Sequence, residues 1–278
     1  MKKSEERLFN FDSIRNMEYL LTKKTAMLAA CTEEKIVLLG GSSVLYGFNT
    51  NEMQRRLSKP TFNAGVNVGL GFRYMLDKLE PHLKPGDHVI LPLEFSQYTN
   101  PPYYVFGFGI DIFLLRRYWQ NQKKYQRKWQ LLLISLKHAR LSATPEKIAR
   151  RNAARITDTG CYRDLDKQIR DPKTLNEIVF PETFEETKTM IEIADFIARC
   201  KANDIQVTML PPVFYTKNMT TTWTEKLYDY FQETVAPELF RLTESEVYDS
   251  VYHANHEGQK RVTNQLIQQL LEREELVE

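Results

Sequence analysis

A chain of 278 residues with 42% hydrophobic and 12% aromatic content can bury a full α/β core, and its net charge of +2 excludes a partner recognised through a strongly acidic or basic whole. The three cysteines, Cys31, Cys161 and Cys200, are odd in number and lack C-x-x-C or Cys/His spacing. That excludes a disulfide framework and a cysteine-based zinc site, and no metal or organic cofactor is implied.

The chain opens "MKKSEERLFNFDSIRNMEYLL", in which Lys2 and Lys3 are followed by no apolar h-region, and no run reaches the length of a membrane span. A soluble, cytoplasmic chain is the expectation. Residues 13–30 predict a surface helix that frames the domain. Ile36–Leu39 predicts a buried first strand running into Gly40-Gly41-Ser42-Ser43, with a helix from about Asn51 to Leu57. Thr61–Asn63 predicts a short second strand, and "GVNVGLG" (Gly65–Gly71) a loop. "FRYMLDKLEPHL" starts as a helix, "KPGD" (Lys84–Asp87) turns, and "HVILPLE" (His88–Glu94) predicts a third strand. This β-α-β-α-β order with short links favours a parallel sheet with ligands at the carboxyl ends of its strands.

Residues 101–182 break the rhythm. "PPYYVFGFGIDIFLLRRYWQNQKKYQRKWQLLLISLKHARL" is aromatic, then basic, then apolar, and from Arg116 to Arg155 about a dozen Lys and Arg face one acid, Glu146. A helical insertion is the expectation. Interleaved basic and aromatic residues in "RRYWQNQKKYQRKWQ" suit a lid over a pocket, a membrane or protein surface, or nucleic acid. The apolar lead-in "VFGFGIDIFLL" (Val105–Leu115) favours a membrane surface or protein partner, through residues 105–130, over nucleic acid. The α/β pattern then returns. Glu186–Asp204 predicts an amphipathic helix, Ile205–Phe214 a strand, 223–240 helix, and "SEVYDS" (Ser245–Ser250) a final strand. "NHEGQKRVTNQLIQQLLEREE" predicts a terminal helix with Val262, Leu266, Ile267, Leu270 and Leu271 on one face. The whole, 1–278, is expected to be one domain with its core in 35–100 and 183–275.

Three stretches lie at predicted strand ends: Gly41-Ser42-Ser43, the Asn63–Gly71 loop, and "YDSVYHANHEGQKRVT" with Asp249 and His253. A serine hydroxyl needs a base to take its proton, histidine is the usual base, and a carboxylate holds the ring in the useful tautomer. Acyl transfer also needs donors aimed at the developing oxyanion. Each residue also has a plainer use. Ser43 can cap the next helix, Asp249 can cap a turn, and Glu94 can bond backbone amides or orient Ser43 or a substrate hydroxyl. "GVNVGLG" is not the G-x-G-x-x-G of dinucleotide binding.

In these blocks the chain resembles the SGNH hydrolases, also called the GDSL esterase/lipase family. In that family a Gly-Asp-Ser motif after the first strand carries the nucleophile. A glycine after the second strand and an asparagine after the third are oxyanion donors. An Asp-x-x-His block precedes the last helix. Gly41-Ser42-Ser43 matches the first block, with Ser43 at the nucleophile, Ser42 replacing the aspartate and Gly47 four residues on. "FNAGVNVGLG" matches the second loosely, so Gly65, Gly69 or Gly71 can be the donor, and "HANHEG" (His253–Gly258) matches the last. The chain departs from the family in two places. After strand three it reads "PLEFSQ", so that Glu94 or Gln97 stands at the asparagine, with Asn67 as a substitute donor. The acid–base spacing is D-x-x-x-H, from Asp249 to His253.

The resemblance implies a three-layer α/β/α sandwich with a mostly parallel central sheet, and a serine-dependent ester hydrolase or O-acyltransferase. Ser43 attacks, His253 is the base, Asp249 orients it, and the substrate is a small-molecule or carbohydrate ester, as in divergent bacterial members that accompany surface-polysaccharide acylation. A catalytically silent module that binds a glycan or a partner is the alternative, and a surface-associated accessory protein docked through the insertion is another.

Overall fold

The computed structural model describes residues 11–100, 102, 155–166, 170–217, 222–232 and 237–275. The 105–130 segment expected to meet a membrane or partner lies outside the described residues. A first helix, α1 (Phe11–Ala30), precedes strand β1 (Ile36–Leu38). Helices α2 (Ser42–Gly47) and α3 (Thr50–Leu57) then lead to β2 (Thr61–Asn63). Helix α4 (Phe72–Leu79) leads to β3 (His88–Pro92), which is followed by α5 (Phe95–Thr99). The remaining elements are α6 (Lys188–Ala202), β4 (Gln206–Leu210), α7 (Thr222–Phe231) and α8 (His256–Glu275). No helix among the described residues is long and apolar enough to cross a membrane.

The four strands form one parallel sheet in the order β2-β1-β3-β4. Parallel neighbours need crossovers, and the helices between the strands supply them. The two central strands, β1 and β3, are buried on both faces, which is why they read as apolar runs. Val37, Val89 and Leu91 share a cluster with Leu21 and Leu28 of α1, Met75 and Leu76 of α4, and Ile193 and Phe196 of α6. Their neighbours Ile36, Leu38 and Ile90 share the other cluster with Val262, Leu266 and Ile267 of α8. Each such side chain taken out of water contributes about 1.5–3 kcal/mol.

Caps set several boundaries. Asn49 accepts from the Glu52 amide to start α3, and Thr187 accepts from Met190 to start α6. Asn203 ends α6, and Asp204 takes a left-handed φ of 56° before β4. At the amino ends of the strands Lys35 Nζ lies 2.7 Å from Asp87 Oδ2, with both side chains fully buried. Asp87 also accepts from the Lys35 and Lys84 amides, so both carboxylate oxygens have partners.

Two expectations change. Ser245–Ser250 is not a strand. It holds a 3-10 turn at Glu244–Glu246 and one antiparallel bridge, Val247 to Ala254. Its amide groups pair with the chain just downstream, Tyr248 N–H with His253 O and Asn255 N–H with Glu246 O, so it has no need of β4. Residues 155–165, assigned by sequence to the insertion, pack into the core, where Ile156, Cys161, Tyr162 and Leu165 are buried. Asn63 N–H donates to Thr159 O and Tyr162 N–H to Leu45 O, which seats this segment over the carboxyl ends of β1 and β2.

Candidate active site

The chain runs from β1 outward to β2 and then returns to the far side of β1 for β3. A crevice opens between β1 and β3 at such a reversal, and ligands of open parallel sheets bind outside the carboxyl ends of the strands there. Two segments flank it: Gly40–Ser43 after β1, and Leu93–Glu94 after β3.

Gly41 leaves room for a close approach, since a Cβ there would lie 2.5 Å from Glu94 Oε1 and 2.7 Å from Val68 Cγ1. That close approach lets the Glu94 carboxylate cross the crevice. Its Oε1 accepts from the Ser43 amide at 2.8 Å and from Ser42 Oγ at 3.1 Å. Glu94 is 2% exposed. Burial raises its carboxyl above the ordinary range, against the opposing pull of the Ser43 amide, the nearby His253 and the Ser42 hydroxyl.

The two serines point different ways. Ser43 is fully buried, and its Oγ donates to Pro92 O at 3.4 Å. One helical turn on, Gly47 packs so closely on Val213 that a Cβ there would lie 2.5 Å from Val213 Cγ2. Ser42 shares its face of α2 with Tyr46, four residues on. The Tyr46 ring stacks on His253, with centroids 3.9 Å apart and planes inclined by 8°. The histidine therefore stands on the Ser42 face of α2, while Ser43 turns into the core; among the described residues no hydrogen bond joins either serine hydroxyl to His253.

Asp249 and His253 meet. His253 Nδ1 lies 2.5 Å from Asp249 Oδ1. The longer D-x-x-x-H spacing is closed by a turn in which His253 N–H donates to Ser250 O and Tyr248 N–H to His253 O. An ionised carboxylate can only accept, so Nδ1 carries the proton of this hydrogen bond. Burial alone would raise the Asp249 carboxyl, but the His253 hydrogen bond and the charges of Arg170 and Arg155 hold it below the usual range. Arg155 also lies over the Tyr162 ring at 4.6 Å and bonds the Tyr46 hydroxyl, which steadies the ring beneath His253.

The expected oxyanion donors are largely occupied. Gly65 N–H donates to Asn63 Oδ1, Gly69 N–H to Asn67 Oδ1, and Gly71 N–H to Val68 O. The Asn67 amide nitrogen makes no hydrogen bond among the described residues. Gln97 Oε1 accepts from the Glu94 amide at 3.1 Å, while its buried Nε2 has no partner among the described residues. Asn255 is structural, since its Oδ1 accepts from Gly258 N–H at the start of α8 and its Nδ2 donates to Ser245 O.

Lys24 of α1 is buried beside this loop. Its Nζ donates to Gly65 O at 2.5 Å and Asn63 Oδ1 at 3.2 Å, and Asn63 Nδ2 donates in turn to Val44 O. Burial lowers the Lys24 ammonium to about 7. This network ties the second loop to α2. Among the described residues no group of three His, Cys, Asp or Glu side chains is placed to hold a metal ion.

No family model, curated protein or solved structure matches the chain. The chemistry of the site rests on its own geometry. That geometry supplies an imidazole oriented by Asp249, a hydroxyl on the same face of α2, and a buried carboxyl that accepts from this hydroxyl and from the Ser43 amide.

Proposed function

We propose that the chain is a serine-dependent ester hydrolase or O-acyltransferase with an SGNH-like, three-layer α/β/α arrangement, and that Ser42 rather than Ser43 is its nucleophile. The observation that carries this is the Asp249–His253 pair stacked on Tyr46, one helical turn from Ser42. In the first step Ser42 Oγ bonds the acyl carbon and its proton passes to His253 Nε2. The ester C–O bond then breaks, and the leaving alcohol takes that proton. Water or a second hydroxyl reverses the sequence and frees the serine. Asp249 stabilises the imidazolium throughout. An acylated carbohydrate is the substrate class suggested by the family resemblance alone.

A fluorophosphonate probe tests the assignment. Wild type is expected to be labelled and to turn over p-nitrophenyl acetate, and Ser42→Ala and His253→Ala to lose both. Loss in Ser43→Ala with retention in Ser42→Ala would return the nucleophile to Ser43. No labelling of folded wild type would leave the second reading, a catalytically silent glycan- or partner-binding module. What favours that second reading is the Glu94 carboxyl seated on the Ser43 amide.

A further inference from the structure

A second hollow lies among the described residues, between the 172–177 and 215–217 segments, and Val251 of the Asp249–His253 turn is in its wall. Counted to its open mouth it encloses about 310 Å³, near the lower end of the range for small-molecule sites. Hydrogen bonds hold its walls in place. Pro172–Thr174 is a 3-10 turn capped by Asp171, and the Arg170 amide just before it donates to Tyr248 O at 3.3 Å. Tyr215 N–H donates to Val251 O at 2.7 Å, and the Arg241 guanidinium donates to Thr216 O and Lys217 O. The hollow is therefore pre-formed, and both of its walls are tied to the turn that presents His253.

Leu175 and Val251 are half-buried and pack on the core cluster that α8 covers, which gives the hollow an apolar floor. The Tyr215 ring stands beside them, with its hydroxyl engaged by Glu244 Oε1 at 3.1 Å. At the rim are two ammonium groups, Lys173 and Lys217, and one carboxylate, Glu177. All three residues are exposed, and no ion pair joins them among the described residues. An ammonium group only donates and a carboxylate only accepts. An anion would meet Glu177, and a cation would meet the two lysines. A sugar hydroxyl donates and accepts at once, and the C–H face of a sugar ring suits an apolar or aromatic wall. We propose that this hollow is a binding subsite for an uncharged sugar residue, a neighbour of the one whose ester is formed or cleaved. This deepens the acyl-transfer reading and rests on it for the reacting ester alone. A sugar seated there lies against Val251, two residues from His253, and so brings the chain that carries the ester to the turn that holds the base. A small ester such as p-nitrophenyl acetate lacks that anchor.

The test sets wild type against Leu175→Trp, which fills the floor. Both are assayed with p-nitrophenyl acetate and with mono-O-acetylated trisaccharides of glucose, mannose and N-acetylglucosamine. The preference is the ratio of kcat/KM for the best trisaccharide ester to kcat/KM for p-nitrophenyl acetate. It is expected to fall on the order of 10-fold in the variant, through KM. Methyl NMR of wild type reads the subsite without turnover. The unacetylated trisaccharides at millimolar concentration should shift the Leu175 and Val251 methyls and leave those of Leu21 and Leu28 in α1 unmoved. That measurement stands whether or not Leu175→Trp folds. An unchanged preference in folded Leu175→Trp overturns the proposal, and so does the absence of a shift at both methyls with all three trisaccharides. If those methyls shift but the fluorophosphonate probe labels neither serine, the subsite stands and the acyl-transfer reading falls. If Ser42 is labelled and the methyls stay unmoved, the acyl-transfer reading stands and the subsite falls.

Discussion

Lys24 turns the framing helix into a reporter of pH. Burial lowers its ammonium from the ordinary 10.5 to about 7 in the folded chain. Between those values the unfolded chain binds the proton and the folded chain does not, so stability rises with pH. From pH 7 to pH 8.5 the difference in bound protons adds stability on the order of 1–2 kcal/mol, at about 1.4 kcal/mol per pK unit. The range stops short of the Cys200 thiol, which burial pushes up to about 12 and which would reverse the slope once the unfolded thiols ionise. Urea unfolding at half-unit steps reads the effect. Wild type should gain on the order of 1–2 kcal/mol relative to Lys24→Met over that range, whatever the absolute stabilities. Lys24→Met should also be less stable at all pH values, since Gly65 O and Asn63 Oδ1 lose their donor. Parallel pH dependences in the two proteins would show that Lys24 keeps its proton on folding, and the account of the buried amine would be wrong.

Three further outcomes follow from the geometry. Lys35→Met leaves Asp87 charged and buried, and should cost about 3–5 kcal/mol in urea unfolding, most of it recovered in the Lys35→Met/Asp87→Leu double variant. Asp249→Asn should slow probe labelling on the order of 10³–10⁴-fold. Because the Asp249 carboxyl is held low, its share of stability is in place above the ordinary aspartate range and is lost as pH falls through the folded value, so wild type and Asp249→Asn should converge in urea midpoint towards acid. Gly41→Ala puts a Cβ into space that Glu94 Oε1 and Val68 Cγ1 fill; it should cost about 1–3 kcal/mol in urea unfolding, and an unchanged midpoint would show that these side chains give way freely.

How far these features can be read from the sequence depends on whether local chain pattern or distant contact sets them. Ile36–Leu38 and the residues of β3 after His88 lie buried on both faces, so their apolar runs announce strands in a parallel sheet. "SEVYDS" alternates like a strand, but its amides find partners in the turn that follows, and composition does not reveal that competition. Lys24 was legible in principle: it sits on the apolar stripe with Leu20, Leu21 and Leu28, where a lysine must be buried or break the pattern. The choice between Ser42 and Ser43 was not legible from motif matching, because a helix turns adjacent side chains about 100° apart. It becomes so once α2 is known to start at Ser42, for then one serine shares a face with Tyr46 and the other with Gly47. Glu94 is the harder case. Its meaning comes from the reversal of strand order, which brings the end of β3 beside the end of β1 across a separation of 51 residues. The same reversal that sets the two strand ends side by side buries the carboxyl between them, where its Oε1 accepts from the Ser43 amide and the Ser42 hydroxyl, and no local pattern around residue 94 announces those two partners.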